Sequence, residues 1–254
     1  MRASRSTRQG SPISSNSPSP APQTSADRVI TAALHVFEEG STTPLLVRTG
    51  DGALWVAKLH GAGPGPVGLL TELIATRLAA ALGLPVPEAT VLWLPHNFPW
   101  QVGTDECDAM VQRSAGWNLG FRHIAARPAT AADLPSLGEP FLTRLSTVDA
   151  ILHNVDRTAQ NPNILIADDG TPTAIDHGST LYLSRALRGA NAPSTLPKNH
   201  FLHGRIPTIP PLPDVAPLTH DAPEAWLTAA GTTRAALCEA LTRAFLAGAG
   251  ETGG

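Results

Sequence analysis

The order of patterns in this sequence predicts an α+β chain of two lobes, a small antiparallel sheet carrying one helix and then a mainly helical half. Three stretches carry that prediction. In "LLVRTGDGALWVAKLHG" two short β-prone runs flank Asp51-Gly52, a strong hairpin signal. In "LLTELIATRLAAALG" Leu70, Leu73, Ile74, Leu78 and Leu82 recur at helical spacing, and Gly83 stands where a helix ends. In "NILIADDGTPTAID" a second hairpin turns at "DDG", separated by a loop from an amphipathic stretch that sets Phe141, Leu142, Leu145, Val148, Ile151 and Leu152 on one side.

Taken in order, residues 1–28 form a Ser/Pro-rich segment expected to be disordered, with no apolar core that would make it a secretory signal. Order is expected from near Val29. A first strand ends near Phe37 ahead of the turn at "EEGSTT", and Leu45 to Arg48 and Leu54 to Leu59 follow as paired antiparallel strands. After a Gly/Pro loop comes the helix ending at Gly83, then a strand in "LPVPEATVLWLP" and another in "ECDAMVQRS". These elements define an N-terminal lobe over residues 29–112. Residues 117–135 read as loop, and the second lobe, 113–254, runs through the amphipathic helix and the second hairpin. It then passes through a Pro-rich stretch, "PSTLPKNHFLHGRIPTIPPLPDVAPL", to one or two closing helices.

Composition narrows the function classes. The chain has 254 residues, is 42% hydrophobic and carries 18 basic against 21 acidic residues, a balance unlike the basic footprint of a nucleic-acid binder. Cys107 and Cys238 are the only cysteines, which fits a reducing cytoplasm better than a disulfide framework. No apolar run is long enough for a membrane span.

The segment "LHNVDRTAQNPNILIADDGTPTAIDHG" concentrates the chemistry. A divalent cation holding a polyphosphate needs hard oxygen donors, one or two carboxylates and an amide carbonyl, with phosphate oxygens completing the shell. A hairpin brings its ends together, so Asn163, entering it, and Asp176, leaving it, are expected side by side. Asp156 lies ahead of the hairpin in a loop after a helix, and from there a carboxylate can orient an attacking hydroxyl. Asp168 and Asp169 are ordinary turn residues. Lys58 lies inside an apolar strand, a costly place for an ammonium unless it is paired.

The order of loop Asp, Asn before a strand, turn and Asp-x-Gly resembles the catalytic and metal-binding loops of the protein kinase-like superfamily. "NVDRTAQNPNIL" with "AIDHG" is most similar to the HipA-like kinases, more faintly to phosphatidylinositol kinases. "LWVAK" and "TELIATRLAAALGLPVP" extend the likeness over roughly residues 29 to 190. The resemblance implies a two-lobed protein kinase-like fold, ATP and Mg2+ as cofactors, and transfer of the γ-phosphate to a hydroxyl, of serine or threonine type, on an acceptor that is a protein or a small molecule. It gives Asp156 the catalytic role, Lys58 the nucleotide phosphates, Glu72 the pairing of that lysine, and Asp176 the metal. The second metal ligand is Asn161 by its five-residue spacing from Asp156, or Asn163 by its place before the strand. The compact hairpin that fixes Asn163 relative to Asp176 favours Asn163 without excluding Asn161, and Pro162 makes the two non-equivalent.

Two departures from the family pattern bear on function. The phosphate-covering loop "EEGSTTPLLV" holds one glycine, so Gly40 and Ser41 are its candidate phosphate contacts, and Pro44 removes a donor. His177 replaces the usual apolar anchor and reads as a core or backbone-bonding histidine. Arg157 reads as a support for its loop, His153 and Asn154 as structural, and Trp117 as a candidate lining of an adenine pocket. His60, His200, His203 and His220 show no metal-ligand spacing. The glycine-poor loop keeps open a nucleotide-binding regulator without turnover, and the shared fold keeps open AMP transfer. No feature identifies the acceptor or an oligomeric state.

Overall fold

The computed structural model describes residues 25–37, 43–63, 65–99, 104–190 and 194–250. Gly40, Ser41 and most of the 1–28 segment lie outside the described residues. Five antiparallel strands form the first sheet: β1 (Ile30–Val36), β2 (Leu45–Thr49), β3 (Leu54–Lys58), β4 (Ala89–Leu94) and β5 (Gly116–Arg122), ordered β1-β2-β3-β5-β4. The β2–β3 hairpin closes as its turn residues require. Gly52 has φ 86°, and the Asp51 carboxylate accepts bonds from the Ala53 N–H at 3.0 Å and the Thr49 hydroxyl at 2.6 Å.

Strand alternation then sorts the side chains. Trp55, Ala57 and Leu59 face one side, where Met110 and Val111 cover them. Val56 packs with the opposite core, and Lys58 shares its parity on β3. That opposite face is covered by helix α1 (Gly65–Ala81), whose Leu70, Leu73, Ile74 and Leu78 are each 1% exposed or less. Burial of each contributes roughly 1.5–3 kcal/mol. The helix ends as its glycine predicts: Gly83 has φ 77°, and the Leu84 N–H donates to the Ala79 carbonyl at 3.0 Å.

Two expectations are corrected. "ECDAMVQRS" is not a strand but lies in helix α2 (Asp105–Arg113). Thr104 caps it, its side chain accepting from the Cys107 N–H at 3.3 Å, and Asp105, Glu106 and Asp108 complement the dipole of the first turn. Cys107, Met110 and Val111, at helical spacing, turn toward the sheet. Residues 117–122, within the stretch expected as loop, form with Gly116 the strand β5 in the interior of the sheet. Its glycines disguised it. Gly120 is there because Leu92 lies against it: a Cβ would stand 2.7 Å from Leu92 Cγ. Gly120→Ala is expected to lower unfolding free energy by about 1–3 kcal/mol, read from denaturant titration, with β5 retained.

The second half is built on α3 (Glu139–Leu152) and a three-stranded sheet, β6 (Ala126–Pro128), β7 (Ile164–Ala167) and β8 (Pro172–Ala174), ordered β6-β7-β8. Helices α4 (Tyr182–Arg188), α5 (Ala216–Thr219), α6 (Glu224–Ala229) and α7 (Arg234–Gly250) follow. Helices α5 and α6 pack on α1, and α7 packs on α4, where Tyr182 Oη donates to the Leu241 carbonyl at 2.8 Å. Arg77 of α1 adds an ion pair to Asp221 at 2.6 Å. The C-terminal helices thus share one apolar core with α1 and β5. Among the described residues, no helix is long and apolar enough to cross a membrane.

Candidate active site

Three elements meet at Lys58. The lysine projects from the end of β3 toward α1, and its Nζ lies 2.6 Å from Glu72 Oε1 and 2.9 Å from Asp176 Oδ1. Glu72 is on the buried face of α1, and Asp176 follows β8. Burial works against the Lys58 ammonium, but the two carboxylates outweigh it and raise its pKa. Two carboxylates sharing one ammonium cannot titrate alike. Burial pushes the Glu72 carboxyl up to about 7 despite Lys58. Asp176, whose side chain keeps 40% of its exposure, is held below the usual carboxylate range because Lys58 outweighs its own desolvation. The glycine two residues on is dictated by this cluster, since a Cβ on Gly178 would come within 3.2 Å of Glu72 Oε2.

The loop with Asp156 is built on a fully buried aspartate that sequence reasoning missed. Asp149, on α3, accepts from Asn154 Nδ2 at 3.1 Å and Arg157 Nε at 2.6 Å, and lies 3.0 Å from His200 Nε2. Burial raises its carboxyl, yet the Arg157 charge and the His200 bond hold it below the ordinary range. The signal was an acid inside the apolar stripe of Leu145, Val148 and Leu152; its partners are legible only in three dimensions. His153 ends the helix at φ 51°. Asn154, also fully buried, accepts the Asp156 N–H on its Oδ1 at 3.2 Å.

Arg157 supports its loop, as expected, and no part of it reaches solvent. Besides Asp149, its guanidinium donates to the carbonyls of Pro162 and Asn163, both at 2.7 Å, and of Ile175 at 3.3 Å. One side chain therefore ties the Asp156 loop to both ends of the β7–β8 hairpin. Those ends are joined by the Ile175 N–H donating to the Asn163 carbonyl at 2.9 Å, and their residues share a left-handed backbone, Asn163 at φ 51° and Asp176 at φ 57°.

The two asparagines differ as Pro162 implied. Asn161 is exposed, and its Nδ2 donates to Asp156 Oδ2 at 3.1 Å. Its Oδ1 therefore carries no hydrogen bond among the described residues. Asn163 Nδ2 is buried and has no partner among the described residues. His177 is fully buried, and burial with the neighbouring Arg157 charge drives its pKa down to about 3, so the ring is neutral. Trp117 packs edge-on against Trp93, with ring centroids 5.2 Å apart. Among the described residues no three or more His, Cys, Asp or Glu side chains gather as a metal cluster.

Residues 30–185 match the family model described as HipA-like kinase. The solved structure of the Helicobacter pylori proinflammatory kinase CtkA aligns with a TM-score of 0.40 at 17% identity, covering 57% of this chain and 55% of that one. The chain thus spans about half the length of that kinase. No curated protein matches.

Proposed function

The chain belongs to the HipA-like kinase family, and on that premise we propose that it is an ATP-dependent phosphotransferase acting on a hydroxyl acceptor. The observation that carries the reading is the meeting of Lys58 of β3, Glu72 of α1 and Asp176 after β8, the last of them 118 residues from the lysine in sequence. A structural ion pair needs one carboxylate. Here a second, partly exposed carboxylate stands at the same ammonium, which suits a lysine that trades a carboxylate for phosphate oxygens when nucleotide enters.

In this reading Glu72 holds Lys58 toward the nucleotide phosphates, and Asp156 orients the acceptor. An oxygen lone pair of the acceptor forms a bond to the γ-phosphorus while the bond from phosphorus to the bridging oxygen breaks. The electron pair leaves on ADP, and the hydroxyl proton passes to the Asp156 carboxylate and on to solvent. An aliphatic hydroxyl of serine or threonine type suits this base, because such a hydroxyl is too weak an acid to ionise alone. The Asn161 amide, bonded to Asp156 Oδ2 at 3.1 Å, fixes that carboxylate's rotamer. Gly40 and Ser41 remain the candidate contacts of the phosphate-covering loop.

The donor set fits Mg2+: the partly exposed Asp176 carboxylate and an amide oxygen, that of Asn161, left open by its bonds through Nδ2. Asn163, whose Nδ2 is orphaned, is the alternative holder from the other end of the hairpin. When bound, the cation supplies charge neutralisation to the phosphate oxygens. The two free cysteines fit a cytoplasmic setting.

The test is ADP formation from Mg-ATP by the purified full chain, with mass spectrometry of any modified product. Asp156→Asn and Asp176→Asn are each expected to lower turnover by about a hundredfold or more. Nucleotide binding with no ADP formed under any acceptor would replace the reading with a nucleotide-binding regulator, and an adduct of AMP mass would replace it with AMP transfer.

A further inference from the structure

We infer that Lys198, which lies beyond the matched residues 30–185, is a second cation of the phosphoryl-transfer site. The inference rests on the phosphotransferase reading and adds a residue to it. Moving a γ-phosphoryl group between two oxygens leaves negative charge on the transferring group, and fixed cations facing it are the largest single means of stabilising that charge. The cations already described are committed. Arg157 spends its donors on Asp149 and three carbonyls inside the protein, and Lys58, on the side of Glu72 and Asp176, is the cation given above to the nucleotide phosphates. Neither is free to meet the transferring group from the side of Asp156.

The Pro-rich segment after α4 brings a third cation there. His200 is buried and bonds Asp149 at 3.0 Å, the same carboxylate oxygen that holds Arg157. Asn199 Nδ2 donates to the Val155 carbonyl at 3.0 Å, one residue before Asp156. Two successive residues are thus fastened to the base and rim of the catalytic loop, and Lys198 precedes them by one step of about 3.8 Å. Lys198 is exposed and has no ion pair or hydrogen bond among the described residues.

The residue type adds to the placement. The chain has 18 basic residues, of which only Lys58 and Lys198 are lysines and all others are arginines. The folded chain brings both lysines to the elements of this site. An ammonium on a flexible stem, with three rotatable donors, follows a phosphoryl group as it moves, whereas a guanidinium fork favours a fixed bidentate partner. Asn199 and His200 act as positioning residues, and Lys198 touches the transferring group.

Lys198→Met, Lys198→Arg and Asp156→Asn of the full chain provide the test, with ADP formation from Mg-ATP and calorimetric binding as readouts. Lys198→Met is expected to lower kcat about tenfold to a hundredfold with the Kd for Mg-ATP and the Tm unchanged, and Lys198→Arg to recover part of the loss. Independently of turnover, Lys198→Met is expected to weaken binding of Mg-ADP with aluminium fluoride, a mimic of the transferring group, about tenfold while Mg-ADP alone binds as before. If Lys198→Met keeps its kcat and its affinity for the fluoride complex while Asp156→Asn loses turnover, the Lys198 inference is overturned and the phosphotransferase reading stands. If Asp156→Asn also turns over normally, that reading falls and takes the inference with it.

Discussion

Arg157→Met is expected to lower unfolding free energy by about 3–5 kcal/mol, because it removes the guanidinium paired with the fully buried Asp149 and leaves that carboxylate only its bonds to Asn154 and His200. The loss is larger than a missing surface ion pair because three carbonyls lose a donor at the same time. Urea titration and a melting temperature lower by roughly 10 °C would register it. Arg157→Lys restores charge but not the fork that reaches Asp149 and the hairpin together, so it recovers only part. Asp149→Asn combined with Arg157→Met is expected to cost less than the two changes summed, since no unpaired charge is then left. The pH dependence has a definite sign. The folded Asp149 carboxyl titrates below its unfolded value, so its stabilisation is present above about pH 4 and is lost as pH falls through the folded value. A variant with Asp149→Asn has a shallower acid limb, and an unchanged acid limb would remove the aspartate from this role.

On the proposed function, Lys58→Met is expected to lower nucleotide-dependent turnover by about a hundredfold to a thousandfold and to leave a folded protein. Removing the ammonium from between Glu72 and Asp176 leaves two carboxylates facing one site, and the more buried of them answers by keeping its proton. In the wild type burial already lifts Glu72 to about 7, and the substitution lifts it further. A carboxyl raised in the folded state stabilises while protonated, and this contribution disappears as pH rises through its folded value. The variant should therefore lose thermal stability between pH 6 and pH 8 more steeply than the wild type. Parallel melts at the two values would show it. Equal slopes would mean that Glu72 is ionised and paired elsewhere.

The local signals were strong where turn chemistry and periodicity agreed. The Asp51-Gly52 hairpin, the α1 helix closing at Gly83 and the hairpin from Asn163 to Asp176 were all legible, while the grouping of Glu72 and Asp176 with Lys58 came from the family resemblance. Failure came where a residue serves a neighbour in space. Gly116 and Gly120 made β5 look like a loop, although Gly120 is set by the bulk of Leu92 on the adjacent strand. Helix α2 carries its period on three residues, Cys107, Met110 and Val111, within nine, and its cap, Thr104, stands outside "ECDAMVQRS", so the signal that separates a helix from a strand begins before that stretch. In the site, Asp149 and His200 were invisible for a related reason. Each is informative only with its partner, and 51 residues separate them.

The left-handed backbone at Asn163 and Asp176 restricts what this site can become. Outside glycine, asparagine and aspartate are the side chains that adopt φ near 50–60° most readily, and they are also short oxygen donors. At Asp176 the backbone and the proposed chemistry thus draw on the same small alphabet, and at Asn163 the backbone alone does. At Asp176, the proposed metal ligand, glutamate would keep an oxygen but strain the chain, so that carboxylate cannot be lengthened without rebuilding the hairpin. Glycine is the one replacement that relaxes the backbone while deleting the donor. A descendant that abandoned the chemistry but kept the fold would be expected to carry glycine at one or both of these places, and such a pair would mark the loss of function in a sequence otherwise little changed.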